Sequence, residues 1–294
     1  MNLVDQFLQY LISALALGSL YALIAIGYTM IYGILGLINF AHGEVFMLGG
    51  YIAFYAVTVF LMPWWAGFIA ALALTGILGV GLERAAYRPL RHSSKNSIMA
   101  GTVAASFLLQ NLAIVIFGGR QKGFPVPEIF TKIVNIHTVS VVNINIIIPV
   151  VTAVLLTALL IIVRKTKIGI AMRAVAADLP AARLMGINVN KTVSFTFGTA
   201  SVLAAIGGVM WALKYPQLNP SMGMIPGLKC FMAAVIGGIG NISGAVLGGL
   251  LLGLIEIMVI AAFPALTAYR DAFVFVLLII VLLLKPSGLL GKAK

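Results

Sequence analysis

Long apolar runs alternate with short polar segments along the whole chain. A run of roughly 18 or more apolar residues is long enough to cross a lipid bilayer as a helix. The pattern therefore predicts an all-α integral membrane protein with about eight to nine transmembrane helices, some broken or re-entrant, in one domain over residues 1–294. The candidate spans are residues 9–33, 43–60, 63–83, 97–118, 146–163, 193–213, 227–240, 245–262 and 271–284.

The stretch "GLINFAHGEVFMLGGY", residues 36–51, places an amide, an imidazole and a carboxylate between two apolar runs. Its glycines and Asn39 predict a helix break that faces the interior of the bundle. Helical spacing would put Asn39 and His42 on one face and Glu44 on another. These three side chains either satisfy one another and fix helix packing, or line a substrate pathway. One His and one Glu do not make a metal site.

The second half contains a similar stretch, "GGIGNISGAVLGGLLLGLIEIM". It also places an Asn close to Gly residues and then a Gly-Gly pair, which suggests two related halves with Asn241 and Ser243 at a second break. The four-residue spacing of Gly249 and Gly253 predicts close helix contact. Glu256 shares that face, so it either bonds across a helix interface or belongs to the pathway.

The net charge of +12 reflects Lys and Arg in short loops beside the spans. The positive-inside rule explains this distribution, so we expect no nucleic-acid partner. Residues 84–97, residues 164–192 and the tail with Lys285, Lys292 and Lys294 are predicted to be cytoplasmic. The N-terminus lies outside if the first two spans both cross, and inside if residues 34–42 are re-entrant.

Residues 119–145 are then an extracytoplasmic loop. Two prolines extend "GFPVPEIF", and the alternation in "TVSVVNINI" predicts a short strand pair. The loop is either a lid packed on the spans or a docking surface for an external partner.

The composition excludes several function classes. The chain is 62% hydrophobic and 9% charged, whereas soluble domains are about 45–50% apolar and about 25% charged. It contains no G-x-x-x-x-G-K-[ST] phosphate loop and no H-E-x-x-H or G-x-S-x-G motif. Cys230 is the single cysteine, so there is no intrachain disulfide. We therefore expect no enzymatic activity, no metal and no cofactor.

The cytoplasmic segment 164–192 contains an Ala-rich stretch interrupted by Pro180. Asp178 suits an N-cap of a short helix that starts near Leu179, and Gly186 suits the end of that helix. The segment is predicted to form one or two surface helices, either as a solvated connector or as a docking site.

Several stretches resemble the permease subunits of high-affinity branched-chain amino acid ABC importers of the LivH type. They are "LGSLYALIAIGYTMIYGILGLINFAHGEVFMLGGY", "ERAAYRPLR", "AVAADLPAARLMGIN", "AAVIGGIGNISGAVLGGLLLGLIE" and "LLLKPSGLLG". Together these segments span nearly the whole chain, and residues 119–145 match least.

The resemblance implies a multi-pass protein of the bacterial inner membrane. Its partners would be membrane lipid, a second related permease subunit, two cytoplasmic ATPase subunits and an external substrate-binding protein. Residues 164–192 would hold the coupling loop that docks on an ATPase. The candidate coupling residues are Ala174, Ala177, Asp178, Leu179, Ala182, Leu184, Gly186 and Ile187.

The two breaks, with Asn39, His42 and Glu44 in one half and Asn241, Ser243 and Glu256 in the other, are the candidate substrate pathway. The same residues also fit two other functions. In an ion-coupled secondary transporter, Glu44 and Glu256 would be the coupling acids. In a passive channel for a small polar solute, this chain alone would support downhill flux.

Overall fold

The computed structural model describes residues 3–91, 93–136 and 139–291. Two of the basic tail residues, Lys292 and Lys294, lie outside this part of the chain. The α-helices are α1 Leu3–Leu35, α2 His42–Thr58, α3 Trp64–Leu82, α4 Arg88–Leu90, α5 Lys95–Phe117, α6 Glu128–Thr131, α7 Ile144–Lys165, α8 Lys167–Ala177, α9 Leu179–Leu184, α10 Val189–Lys214, α11 Met224–Gly237, α12 Ile242–Ala262 and α13 Arg270–Leu284. A π-helical turn, Glu83–Tyr87, joins α3 to α4, and a 3-10 turn, Pro264–Tyr269, precedes α13.

Seven helices in the described residues are long and apolar enough to cross a membrane. They are α1, α5, α7, α10 and α12, together with α3 extended through the π-helical turn and α4 (Trp64–Leu90) and α13 extended by the 3-10 turn before it (Pro264–Leu284). The other two predicted spans are also helical, but α2 has 17 residues and α11 has 14. At 1.5 Å per residue they reach only about 26 Å and about 21 Å, less than the hydrocarbon core of about 30 Å. The predicted all-α membrane class is confirmed, with α2 and α11 as the short helices next to the breaks.

Helices α1 and α12 pack together through small residues. A Cβ atom on Gly253 would lie 2.2 Å from the Gly18 nitrogen, and one on Gly249 would lie 2.4 Å from the Ala22 nitrogen. Only glycine therefore fits at either position. The predicted close contact at Gly249 and Gly253 is confirmed, and it places α1 in the centre of the bundle, where its middle turns are almost fully buried.

One face of the bundle carries two short strand pairs. The predicted strand pair within residues 119–145 is confirmed, because β2 Ile133–Ile136 pairs antiparallel with β3 Val139–Val142. A second pair was not predicted: β1 Lys122–Gly123 pairs antiparallel with β4 Gln217–Leu218. It joins the loop after α5 to the loop after α10.

The N-terminal end of α1 lies on the face that carries the strand pairs. Gln9 Nε2 donates a hydrogen bond of 3.2 Å to the Ser140 carbonyl in β3. Helix α7 starts beside β3 and leads in a single 22-residue pass to α8. The start of α1 and the segment α8–α9 are therefore on opposite faces, which favours the alternative in which the N-terminal end lies outside.

The segment 164–192 forms two surface helices, α8 and α9, as predicted. The Asp178 side chain accepts a hydrogen bond of 2.9 Å from the Ala181 nitrogen and so caps α9. Gly186 follows α9 with a φ of +80°, the left-handed conformation that favours glycine after a helix. Both caps agree with the prediction from the sequence.

Candidate functional site

The first helix break separates α1 from α2. Helix α1 ends at Leu35, Gly36 follows with a φ of +64°, and α2 begins only at His42. Asn39 lies in the break, nearly fully buried, and its Oδ1 accepts a hydrogen bond from the Tyr87 hydroxyl. The expectation that Asn39 and His42 share a helical face is therefore wrong, because Asn39 precedes the helix.

His42 places this break inside the bundle. Its ring packs edge-on against Tyr28, with ring centroids 4.7 Å apart. It also fills the space beside Gly27, where a Cβ atom would lie 2.3 Å from His42 Nε2. Gly27 precedes the end of α1 by about two helical turns, or about 12 Å. Helix α2 thus starts at membrane depth, and the partial positive charge of its N-terminus lies there too.

Glu44 lies in the first turn of α2 and faces α5. Its Oε1 accepts a hydrogen bond of 3.4 Å from the Ser106 hydroxyl, and the residue is only 3% exposed. It lines a cavity of about 180 Å³ between α2, α5 and α11. Aromatic rings dominate the rest of the wall: Tyr28, Phe40, Phe107 and Phe231. The cavity therefore combines one carboxylate with an apolar surface.

The second break, between α11 and α12, is held by the C-terminal segment. Asn241 Oδ1 caps α12 by accepting hydrogen bonds from the Ser243 and Gly244 nitrogens, at 3.1 and 3.3 Å. Its Nδ2 donates to the Leu290 carbonyl at 2.8 Å. Ser243 is exposed. Asn241 is thus a helix cap and an anchor for the tail, and neither Asn241 nor Ser243 lines the cavity at Glu44.

The two breaks lie next to each other. A Cβ atom on Gly33, near the end of α1, would be 3.7 Å from the Gly240 Cα in the second break. Gly238 and Gly240 have φ values of +108° and +91°. The end of α1 therefore contacts the second break, while the suggested relation between the two halves stays a prediction.

Glu256 is the centre of a buried ionic cluster. Its Oε2 accepts a hydrogen bond of 2.8 Å from the Tyr21 hydroxyl, and its Oε1 lies 2.9 Å from Lys229 Nζ. Lys229 Nζ is also 2.7 Å from Asp271 Oδ1, and Arg270 Nε is 3.4 Å from Glu256 Oε1. The expected contact of Glu256 with a neighbouring helix is confirmed, and the cluster joins α1, α11, α12 and α13.

Lys229 was missed by the sequence reasoning. It is 6% exposed and is the only charged residue in α11, within "MIPGLKCFMAAVIG". The sequence did contain the evidence for Lys229, because a cation inside an apolar segment of a membrane protein is costly and needs a buried partner. Applying that rule to both charge signs would have paired Lys229 with Glu256.

The cluster lines a cavity of about 410 Å³ beneath the β1–β4 pair. Polar residues of the two loops that carry these strands complete the wall: Gln121, Tyr215, Gln217, Asn219 and Ser221. Gln121 Nε2 donates a hydrogen bond of 2.8 Å to Gln217 Oε1 at its rim. Burial and the nearby Glu256 raise the pKa of Tyr215 to about 12, so its hydroxyl stays neutral and available for hydrogen bonding.

The opposite face exposes apolar side chains at the end of α9. Leu184 is 89% exposed and the adjacent Met185 is 81% exposed. Ala182 is buried, while Asp178 and Gly186 are exposed at either end of α9. Met185 was not among the candidate coupling residues. These two neighbouring apolar side chains are a candidate contact surface for another protein.

Known sequences resemble this chain over almost its full length. Residues 10–282 match the family described as branched-chain amino acid transport system, permease component. The chain is 41% identical, over 98% of its length and 97% of the relative, to the high-affinity branched-chain amino acid transport system permease protein BraD of Pseudomonas aeruginosa. It is 41% identical to LivH of Salmonella typhimurium and 40% identical to LivH of Escherichia coli, each over 97% of this chain and 96% of the relative.

The chain belongs to this permease family. As a family member it is a non-catalytic, multi-pass component of a transport system in the inner membrane. The seven membrane-length helices of the described part of the permease agree with that location.

Proposed function

We propose that this permease component carries branched-chain, aliphatic amino acids into the cell as the membrane subunit of an ABC importer, driven by ATP hydrolysis on partner chains. The observation that carries the proposal is the similarity to BraD and LivH, at about 41% identity along nearly the whole chain. The partners are a second related permease subunit, two cytoplasmic ATPase subunits and an extracytoplasmic substrate-binding protein.

The proposed pathway connects the two cavities. Substrate enters through the outer cavity at Glu256, beneath the strand pair, and passes the inner cavity at Glu44. The aromatic and aliphatic wall near Glu44 accepts the side chain of the amino acid, while the carboxylate of Glu44 faces its ammonium group. The N-terminus of α2 favours the carboxylate group of the substrate. Asn39 and His42 shape this site by fixing the break.

Uptake measurements with Glu44→Gln test the pathway. The change keeps the shape and removes the charge, so leucine uptake is expected to fall about tenfold or more, the value of one hydrogen bond to a charged group. Labelled leucine is supplied to cells that lack their own uptake systems and express the complete transporter. Glu128→Gln, an exposed acid of α6 on the strand face, is the control.

Unchanged uptake in Glu44→Gln, at equal amounts of assembled protein, would remove Glu44 from the pathway.

Two further measurements distinguish the proposed importer from a secondary transporter and from a channel. Uptake that persists after ATP depletion but stops with an ionophore indicates a secondary transporter, and downhill flux through the purified chain alone indicates a channel.

The coupling surface is proposed to be the 174–188 segment, with Leu184 and Met185 at its centre. The double variant Leu184→Ser with Met185→Ser is expected to weaken ATPase binding at least about tenfold, because burying each side chain contributes about 1.5–3 kcal/mol. The measurement is the amount of ATPase that co-purifies with the tagged permease in mild detergent.

Ile133→Ser with Val134→Ser makes the same kind of change at exposed residues on the opposite face and is the control. Equal ATPase recovery from both double variants would show that α9 does not bind the ATPase. Mass spectrometry of the same purification tests the partner composition.

A further inference from the structure

A long groove runs between α3 and α10, away from both cavities of the proposed pathway. Its volume is about 970 Å³. The walls are apolar over most of its length and include Leu72, Gly76, Ile77, Val80, Phe195 and Val202. Ile77 is 67% exposed, so the groove opens to the surroundings of the bundle.

Glycine residues of α3 shape this groove. At Gly79 the two helices touch, since a Cβ atom there would lie 1.9 Å from Ser201 Oγ. At Gly81, on a different face of α3, an added Cβ would meet no heavy atom within 4 Å. The helices therefore close the floor of the groove while the wall at Gly81 stays open, leaving space for a narrow, flexible apolar ligand.

The end of the groove nearest α8–α9 is basic. Arg84, Arg88 and Lys191 line it together with Asn188 and Asn190.

The nearest acid does not neutralise this basic end. Glu83 is fully buried and is held by Arg88 at 3.0 Å, by Arg91 at 2.9 Å and by the Ser194 hydroxyl at 2.7 Å. Arg84 and Lys191 are exposed and form no ion pair within the described part of the chain. Two cations are thus free to bind an anion at the mouth of an apolar groove.

The dimensions fit a single lipid leaflet. From Leu72 to Arg84 the helix rises about 18 Å, which is close to half of the hydrocarbon core of about 30 Å. An acyl chain that starts at the basic end would reach the middle of the bilayer near Leu72. The basic end is on the same face as α8–α9, where positive charge predicts the cytoplasmic side.

We propose that this groove binds one anionic phospholipid of the inner leaflet, with its phosphate between Arg84 and Lys191 and one acyl chain along Gly76, Ile77 and Gly81. Basic pockets between transmembrane helices on the cytoplasmic side are suited to such head groups. Binding of this lipid is independent of the substrate and of the direction of transport.

Native mass spectrometry of the full-length chain in detergent tests the proposal with added phosphatidylglycerol and, separately, phosphatidylcholine. The wild type is expected to retain phosphatidylglycerol in preference to phosphatidylcholine. Arg84→Gln with Lys191→Gln should weaken phosphatidylglycerol binding about 25-fold, since each basic residue near an anionic head group contributes roughly fivefold. Lys165→Gln with Lys167→Gln removes the same charge from exposed positions outside the groove and is the control.

A second variant tests the apolar part of the groove. Gly81→Leu fills open space without touching the charges, and it should reduce phosphatidylglycerol binding at this site to the level of the double Gln variant. Equal losses in the Lys165/Lys167 control, or full binding in both groove variants, would overturn the proposal.

A photo-crosslinking residue at Ile77 in membranes of the assembled transporter gives an independent result. Crosslinks to phospholipid support the site. Crosslinks to a second permease subunit would mean that the groove is a subunit interface and would also overturn the proposal.

Discussion

Lys229→Met is expected to destabilise the permease by about 3–5 kcal/mol and to abolish leucine uptake. The ammonium group contacts Glu256 at 2.9 Å and Asp271 at 2.7 Å, and it is the cation closest to the buried Glu256 carboxylate. After the substitution, Glu256 keeps the Tyr21 hydroxyl and the longer contact with Arg270 at 3.4 Å. A buried charge that loses its main partner is far more costly than a neutral pair of similar volume.

The double variant Lys229→Met with Glu256→Gln separates stability from transport. Removing both charges should restore most of the thermal stability, measured by unfolding in detergent, because no uncompensated charge remains. Uptake should stay low if the ionic cluster takes part in the outer cavity. Recovery of both uptake and stability in the double variant would mean that the cluster only holds the helices together. Normal stability of the single variant Lys229→Met would contradict the assigned contacts.

Local patterns explain why much of the fold follows from the sequence. The apolar runs predict each long helix, because a membrane helix satisfies its own backbone and must be apolar over its length. The cap at Asp178, the end of α9 at Gly186 and the close face at Gly249 and Gly253 depend on residues within a few positions of one another. Propensity and spacing are sufficient for such features.

The contacts that the sequence did not predict join distant segments. Asn39 is bound by Tyr87, so its position is set by the π-helical turn after α3 and not by a helix through the break. Lys229 and Glu256 are 27 residues apart, on different helices. The β1–β4 pair joins two loops through strands of two residues each, too short to show any alternation. Such pairings depend on how the helices pack against one another. The periodicity of apolar residues along the sequence carries no information about that packing.

The role of Asn241 shows the same limit. Its position beside Gly240 suggested a counterpart of Asn39 in the pathway, yet its amide caps α12 and holds the Leu290 carbonyl. Asn side chains satisfy backbone groups at helix starts as readily as they line a polar path. The residue type and its place at a break were therefore insufficient to distinguish the two roles, and its part in transport stays a prediction.

Gly253→Leu is expected to lower the free energy of unfolding by about 3 kcal/mol or more, the upper end for an overpacked core. Its new Cβ would lie 2.2 Å from the nitrogen and 2.3 Å from the Cα of Gly18, both backbone atoms that no rotamer change can move. Helix α12 would have to move away from α1, and Glu256, one turn further along, would move away from Tyr21.

Gly81→Leu is the matched control for this prediction, because it makes the same substitution in a membrane helix where an added Cβ has no heavy atom within 4 Å. Thermal unfolding in detergent without added lipid should show a large loss of stability for Gly253→Leu and little change for Gly81→Leu. If both variants melted at the same temperature as the wild type, the α1–α12 contact would be too loose to need glycine. The central position of α1 and the geometry of the Glu256 cluster would then both be wrong.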